Sequence, residues 1–186
     1  MIKIENLCFN FGEKKIFDNF SLEIKDGERI HLSAASGKGK TTLLRLILGL
    51  EKPTSGKITL PENCRFSCVF QENRLLPHHT ALDNVTLFGS REKALYLFDK
   101  LGITASKNKY PSALSGGMKR RVAIARALSL DADIYIFDEA FAGLDAALKE
   151  KCAALIDEIC KDKTVIIVSH EEIDLKLLKA KTVNLF

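Results

Sequence analysis

The 186-residue chain lacks any apolar run approaching the roughly 18 residues that a helix needs to cross a bilayer. Its first residues, Met1-Ile2-Lys3-Ile4-Glu5, mix charges from the start, so no apolar secretory core is expected. If the protein works at a membrane, another subunit must hold it there. A block of like charge is missing too. With 28 Lys and Arg against 24 Asp and Glu the formal charge is +4, and lysines such as Lys14, Lys107, Lys161 and Lys176 are scattered. Scattered cations solvate a surface and do not make a nucleic-acid track, so no nucleic-acid partner is expected. Five cysteines, an odd number, carry no His or further Cys at metal-ligand spacing, which argues against zinc and fits a reducing cytosol. Cys8, Cys152 and Cys160 fall in apolar or amphipathic patterns and are expected as buried free thiols. Long repeats, low-complexity tracts and linkers are absent as well. One unit over residues 1–186 is expected, with a helical part inserted at 72–130.

What is there is a strand and helix alternation. Ile2/Ile4 and Phe20/Leu22/Ile24 alternate with polar residues, as half-buried strands do. Asp26-Gly27 is a turn, Ile30-His31-Leu32 a strand, Thr41 to Leu50 a helix, and Arg65 to Phe70 a strand. Residues 91–101 place Ala94, Leu95, Phe98 and Leu101 on one helix face, stopped by Gly102. Ile134-Tyr135-Ile136-Phe137 and Val165-Ile166-Ile167-Val168 are continuous apolar runs that suit strands buried on both faces of a parallel sheet. Between them Leu148, Cys152, Leu155 and Ile159 share a helix face. A short helix over Glu171–Lys179 and a terminal strand over Val183–Phe186 complete an α/β pattern.

Three segments carry chemistry. Ala34-Ala35-Ser36-Gly37-Lys38-Gly39-Lys40-Thr41 stands between a strand and a helix, where a phosphate-binding loop belongs. Small residues there let backbone N–H groups wrap phosphates, Lys40 supplies a point charge, and the Thr41 hydroxyl would ligate Mg²⁺. Thr42 is grouped with these nucleotide-binding residues. Ala34 stands where such loops have Gly, which costs strain only at positive φ. Lys38 is a second cation within the loop, expected to point to water. Next, Leu114-Ser115-Gly116-Gly117-Met118 opens a helix that continues Lys119-Arg120-Arg121-Val122-Ala123-Ile124-Ala125-Arg126. Ser115 is a good N-cap, and Gly116 and Gly117 let an anion approach the positive helix end. Finally, Asp138-Glu139 follows an apolar strand, at the sheet edge beside the phosphate loop in such folds. Asp138 would hold Mg²⁺ through water, and Glu139 would accept a proton from the attacking water or orient it.

These motifs, in this order from Phe11 to His170, resemble those of ATP-binding-cassette (ABC) ATPases. The resemblance implies a P-loop NTPase with a mostly parallel core sheet, a small antiparallel β part and a shortened helical subdomain. It implies ATP and Mg²⁺ as cofactors. It adds roles: His170 bonding the γ-phosphate, Gln71 sensing Mg²⁺ and the water, and Phe11 stacking on adenine. Core packing is the rival reading for Phe11. Ser115, Gly116 and Gly117 would grip ATP held by a second ATPase subunit, a copy of this chain or a sister cassette. Val69-Phe70-Gln71-Glu72-Asn73-Arg74-Leu75-Leu76-Pro77 is most similar to ATPase subunits of nitrate, sulfonate and taurine importers. Permease subunits are thus implied as partners, an external solute-binding protein acting through them, and a place on the inner face of the cell membrane. A soluble ABC ATPase of translation or DNA repair, or a non-hydrolysing ATP-binding regulator, is the alternative. The family usually has Pro at Asn73, Gln at Arg120, Pro at Ala140 and Ser or Thr at Ala142. The stretches between Gln71 and Leu114 and after His170 look trimmed, predicting a shallow permease dock over Glu72–Val85 and no regulatory tail.

Overall fold

Alternating side chains set the first strands. β1 (Ile2–Phe11) and β2 (Lys14–Ile24) pair antiparallel, with Ile2, Ile4, Leu7, Phe17 and Ile24 buried. β3 (Arg29–Ser33) leads to the glycine-bearing loop and α1 (Lys40–Ile47), and β4 (Ser55–Thr59) returns antiparallel to the free edge of β1. Gly56 is obligatory in that return. Its φ is +86°, and a Cβ would lie 2.4 Å from the Asn6 carbonyl oxygen. The computed structural model describes residues 1–35 and 37–185, side chains of residues 172, 173 and 175 excepted.

The second half supplies the parallel sheet and most helices. In chain order these are β5 (Phe66–Val69), α2 (Ala81–Thr86), α3 (Arg91–Lys100), α4 (Gly116–Ser129) and β6 (Ile134–Asp138). Then come α5 (Ala146–Ile159), β7 (Thr164–Val168), α6 (Glu172–Leu178) and β8 (Lys181–Asn184). The parallel sheet runs β5-β6-β7-β3-β8, and the antiparallel sheet runs β2-β1-β4. This is the α/β architecture expected from the sequence, a parallel core sheet with a small antiparallel part.

Period-two alternation divides the core between the two faces of the parallel sheet. Ile134, Ile136, Ile166 and Val168 face α1 and the antiparallel sheet, with Ile30, Leu32, Leu43 and Phe17. Tyr135, Phe137, Val165 and Ile167 face the helical layer, with Phe98, Val122, Ile124, Cys152 and Ile156. Each such fully buried side chain stabilises by about 1.5–3 kcal/mol before the entropy of ordering is subtracted. The continuous apolar runs of β6 and β7 are thus explained by layers on both sides.

Local details differ from the sequence reading in three places. α1 stops at Ile47 rather than Leu50, because Gly49 takes φ +70° and the Leu50 and Glu51 amides return to the Arg45 carbonyl. Cys8 is half-buried, not buried, at a register shift of β1, where the Asn19 amide donates to its sulfur. Cys152 and Cys160 are buried as expected, and burial pushes both thiols up to about 12. The last strand is Lys181–Asn184, and Phe186 lies outside the described residues.

Candidate functional site

At the C-terminal edge of the parallel sheet β3, β6 and β7 are neighbours, so their outgoing loops converge. They enclose a cavity of about 640 Å³ lined by Gly37, Gly39, Lys40, Thr41, Thr42, Gln71, Arg120, Asp138, Glu139, Ala142, Val168 and His170. The loop after β3 forms one wall. Gly37 and Gly39 have φ +73° and +84°, and a Cβ on Gly39 would meet Ile16 Cγ2 at 2.8 Å. Glycine therefore lets the loop lie close against β2. Ala34 is not among the described residues with positive φ, so it fills the usual glycine position without strain. Lys40 is buried, and its ammonium donates to the Ala34 carbonyl at 2.6 Å and the Ala35 carbonyl at 3.4 Å. Lys38 is exposed and lines a neighbouring cleft instead, with Lys14, Lys15 and Asn184. Ser36 lies outside the described residues.

The opposite wall carries the acids. Asp138 ends β6 beside Val168, and burial raises its carboxyl pKa against the pull of Arg120, Lys40 and His170. Glu139 follows with φ +52° and donates its backbone amide to the Val168 carbonyl at 2.8 Å. Burial raises its pKa too, with His170 opposing and the Asp138 charge adding. His170 Nε2 lies 3.5 Å from Glu139 Oε1, an oxygen that is buried and has no hydrogen-bond partner. A buried carboxylate oxygen that no protein group satisfies suits contact with a water or substrate in this cavity. Beneath it, the His31 ring Nε2 sits 3.1 Å from the Ser169 carbonyl. The Ser169 hydroxyl donates to Asp174 at 2.6 Å, and Asp174 in turn pairs with the buried Lys149 ammonium at 3.2 Å. The sequence reading missed this underpinning of the His170 loop, because its members lie far apart in the chain.

The cavity gathers the expected Gly37, Gly39, Lys40, Thr41, Thr42, Gln71, Asp138, Glu139 and His170, and it leaves out Ser115, Gly116, Gly117 and Phe11. Ser115 does cap α4, its hydroxyl accepting from the Met118 amide at 3.3 Å. A Cβ on Gly116 would meet nothing within 4 Å, while one on Gly117 would only touch Gly143 O and Leu144 at 3.7 Å. No acidic residue stands in the first turn of α4, so its positive end is unopposed. Phe11 is 49% exposed and meets Phe9 edge-on at a centroid distance of 4.9 Å. It is no core residue. Arg120, which the sequence marked only as a departure, is a wall of the cavity.

Among the described residues, no group of three or more His, Cys, Asp or Glu could hold a metal ion. The oxygens of Thr41, Gln71 and Asp138 suit a hard cation that arrives with phosphates, as Mg²⁺ does.

Comparison with known proteins shows the family. The ABC transporter family profile matches residues 17–142. The chain belongs to the ABC transporter family. The arginine transport ATP-binding protein ArtM of Bacillus subtilis is 36% identical, with 92% of this chain and 81% of that protein covered. The aliphatic sulfonates import ATP-binding protein SsuB 2 of Rhodococcus jostii is 36% identical over 91% and 72%. The solved dimer of the ATP-binding cassette MJ0796 in a post-hydrolysis state with ADP and Pi superposes with a TM-score of 0.88. Its identity is 29%, with 100% of this chain and 94% of that one covered. The cassette is an ABC ATPase that binds ATP. Among the described residues, none of its helices is long and apolar enough to cross a membrane.

Proposed function

We propose that this cassette works in pairs to power a membrane permease that imports a small solute. One observation carries the reading: the cavity collects a lysine, a hydroxyl, two carboxylates, Gln71 and His170, while the Ser115–Gly117 helix start stands outside it. A complete site then requires the helix start of a second cassette, either a copy of this chain or a sister.

In the paired state the loop amides from Gly37 to Thr42 hold the phosphates. Lys40 exchanges its carbonyl contacts for phosphate oxygens. Mg²⁺, held by Thr41, Asp138 and Gln71 together with the nucleotide, would supply charge neutralisation at the transferring phosphoryl group. Glu139 accepts a proton from the attacking water, and His170 donates to a γ-phosphate oxygen. Phe11 stacks on adenine. Ser115, Gly116 and Gly117 of one cassette cover the γ-phosphate held by the other, so hydrolysis waits for closure.

Closure moves α4 and with it the helical part at 72–130. Beside that part lies an apolar cleft of about 290 Å³ lined by Leu48, Phe66, Phe70, Phe88, Arg126 and Leu130. Phe88 and the adjacent Leu87 are about half exposed. This cleft adjoins residues 72–85 rather than coinciding with them, and it suits an apolar segment of the permease. The cassette would then sit on the inner face of the membrane, and an external solute-binding protein would act on it only through the permease.

The test is co-purification with membrane proteins, followed by ATPase assay of the assembly. A membrane-protein partner lost on Phe88→Glu, with ATP binding retained, is the expected result. Recovery with ribosomes or DNA, and ATPase indifferent to any membrane partner, would overturn the reading.

A further inference from the structure

α4 carries an arginine that neither the phosphate loop nor the signature turn accounts for. Arg120 is buried, and its two terminal nitrogens donate to successive carbonyls, Phe70 at 2.7 Å and Gln71 at 2.7 Å. Two turns further along, Arg126 does the same to Asn73 at 2.9 Å and Arg74 at 2.7 Å. The strand β5 therefore runs out into a segment whose backbone is fastened to α4 at four points. Among the described residues the close contacts of Arg120 are with carbonyl dipoles, while the Asp138 and Glu139 charges act on it from further off. A planar fork fits that task, since its donors are fixed relative to one another and reach both peptide groups at once.

Gln71 itself is exposed, and among the described residues its side-chain amide has no hydrogen-bond partner. Whatever restrains its direction into the cavity comes from its backbone. We infer that Arg120 is a positioning residue, fixing Gln71 in the cavity and tying it to the helix whose first turn is Ser115–Gly117. A glutamine at 120 would be shorter and would offer one amide nitrogen, too little to span both carbonyls. When α4 moves as the pair closes, the fork carries Gln71 with it. The two ends of one cassette, facing different nucleotides, are linked through a rigid helix and two hydrogen bonds.

This inference rests on the reading of Gln71 as the residue at the metal and water, and its test separates the two. Arg120→Gln, Arg120→Lys, Gln71→Ala and the Arg120→Gln/Gln71→Ala pair are assayed as the full ATP-loaded chain. The readouts are kcat, KM for ATP, and Mn²⁺ affinity of the nucleotide complex by electron paramagnetic resonance. Arg120→Gln should lower kcat about tenfold and weaken Mn²⁺ binding about fivefold with KM within about twofold, because a misplaced group costs rate rather than uniform binding. Arg120→Lys should behave alike, since an ammonium lacks the two separate, rigidly spaced nitrogens that meet the Phe70 and Gln71 carbonyls at 2.7 Å each. In the Gln71→Ala background Arg120→Gln should add less than about twofold. Rescue by lysine, independent additive losses in the double variant, or unchanged kcat and Mn²⁺ affinity in Arg120→Gln would each overturn the positioning role. If Gln71→Ala alone leaves kcat and Mn²⁺ affinity intact, the reading of Gln71 falls and the inference falls with it.

Discussion

The Gly37–Thr42 loop and the Ser115–Gly117 turn use the same material: glycines and hydroxyls at the start of a helix. Around the first stand a buried lysine, a buried and a half-buried carboxylate, and a histidine, in a cavity of about 640 Å³. Around the second there is open space, one capping hydroxyl and an unopposed helix end. The backbone of each can receive an anion, but only the first is surrounded by a lysine, carboxylates and a histidine. On the function proposed above, anion affinity and catalytic competence are separable and lie on two surfaces of one chain.

The largest test of that division is Glu139→Gln. Turnover should fall by about 10²–10⁴-fold while ATP binding persists and paired cassettes accumulate, read by steady-state hydrolysis and sedimentation. Near-normal hydrolysis would strip the first surface of its chemical role. Lys40→Ala and Gly116→Asp should each abolish most turnover, the first by weakening nucleotide affinity and the second by opposing the γ-phosphate across the pair. Mixed in equal amounts, these two inactive chains should recover about a quarter of the wild-type rate, because half of randomly formed pairs contain one intact composite site. No recovery, in a mixture shown to exchange subunits, would mean that each chain works alone.

Ser115→Ala sharpens the contrast at lower cost. Losing the cap should reduce stability by about 1 kcal/mol, seen as a small drop in Tm, with turnover falling further than that loss explains. The smallest effect concerns the ground beneath the first surface. Burial holds the His31 imidazole below its usual 6.5, so the folded chain keeps it neutral where the unfolded chain takes up a proton. Stability should therefore fall as pH drops below about 6.5 and stay level above it, and His31→Gln should flatten that acid limb in denaturant titrations.

Local motifs were legible because the chemistry fixes both residue type and spacing within a few positions. The phosphate loop, the N-cap at Ser115 and the acid pair after a buried strand needed no tertiary information. The fold class followed from strands alternating with helices, and the two continuous apolar runs suited a sheet covered on both faces. The Arg120 fork was hidden, for its acceptors lie 50 and 49 residues away in the chain. A cation in place of the family's usual glutamine was its sole trace. Lys149 and Asp174 were equally silent, because polar residues on amphipathic helices look solvated until a second helix covers them, and Ser169, just past the end of β7, looked like an ordinary loop residue. Cys8 was misjudged because a register shift in β1 turns its side chain out of the strict alternation.

The left-handed backbone at Glu139 has an evolutionary edge. A side chain at φ +52° costs about 1–2 kcal/mol that glycine would not. Only glycine would relieve that cost, so thermal robustness and the catalytic role proposed for Glu139 pull in opposite directions at this position. Lineages in which a cassette no longer burns nucleotide should shed the acid here first and gain hardiness by doing so.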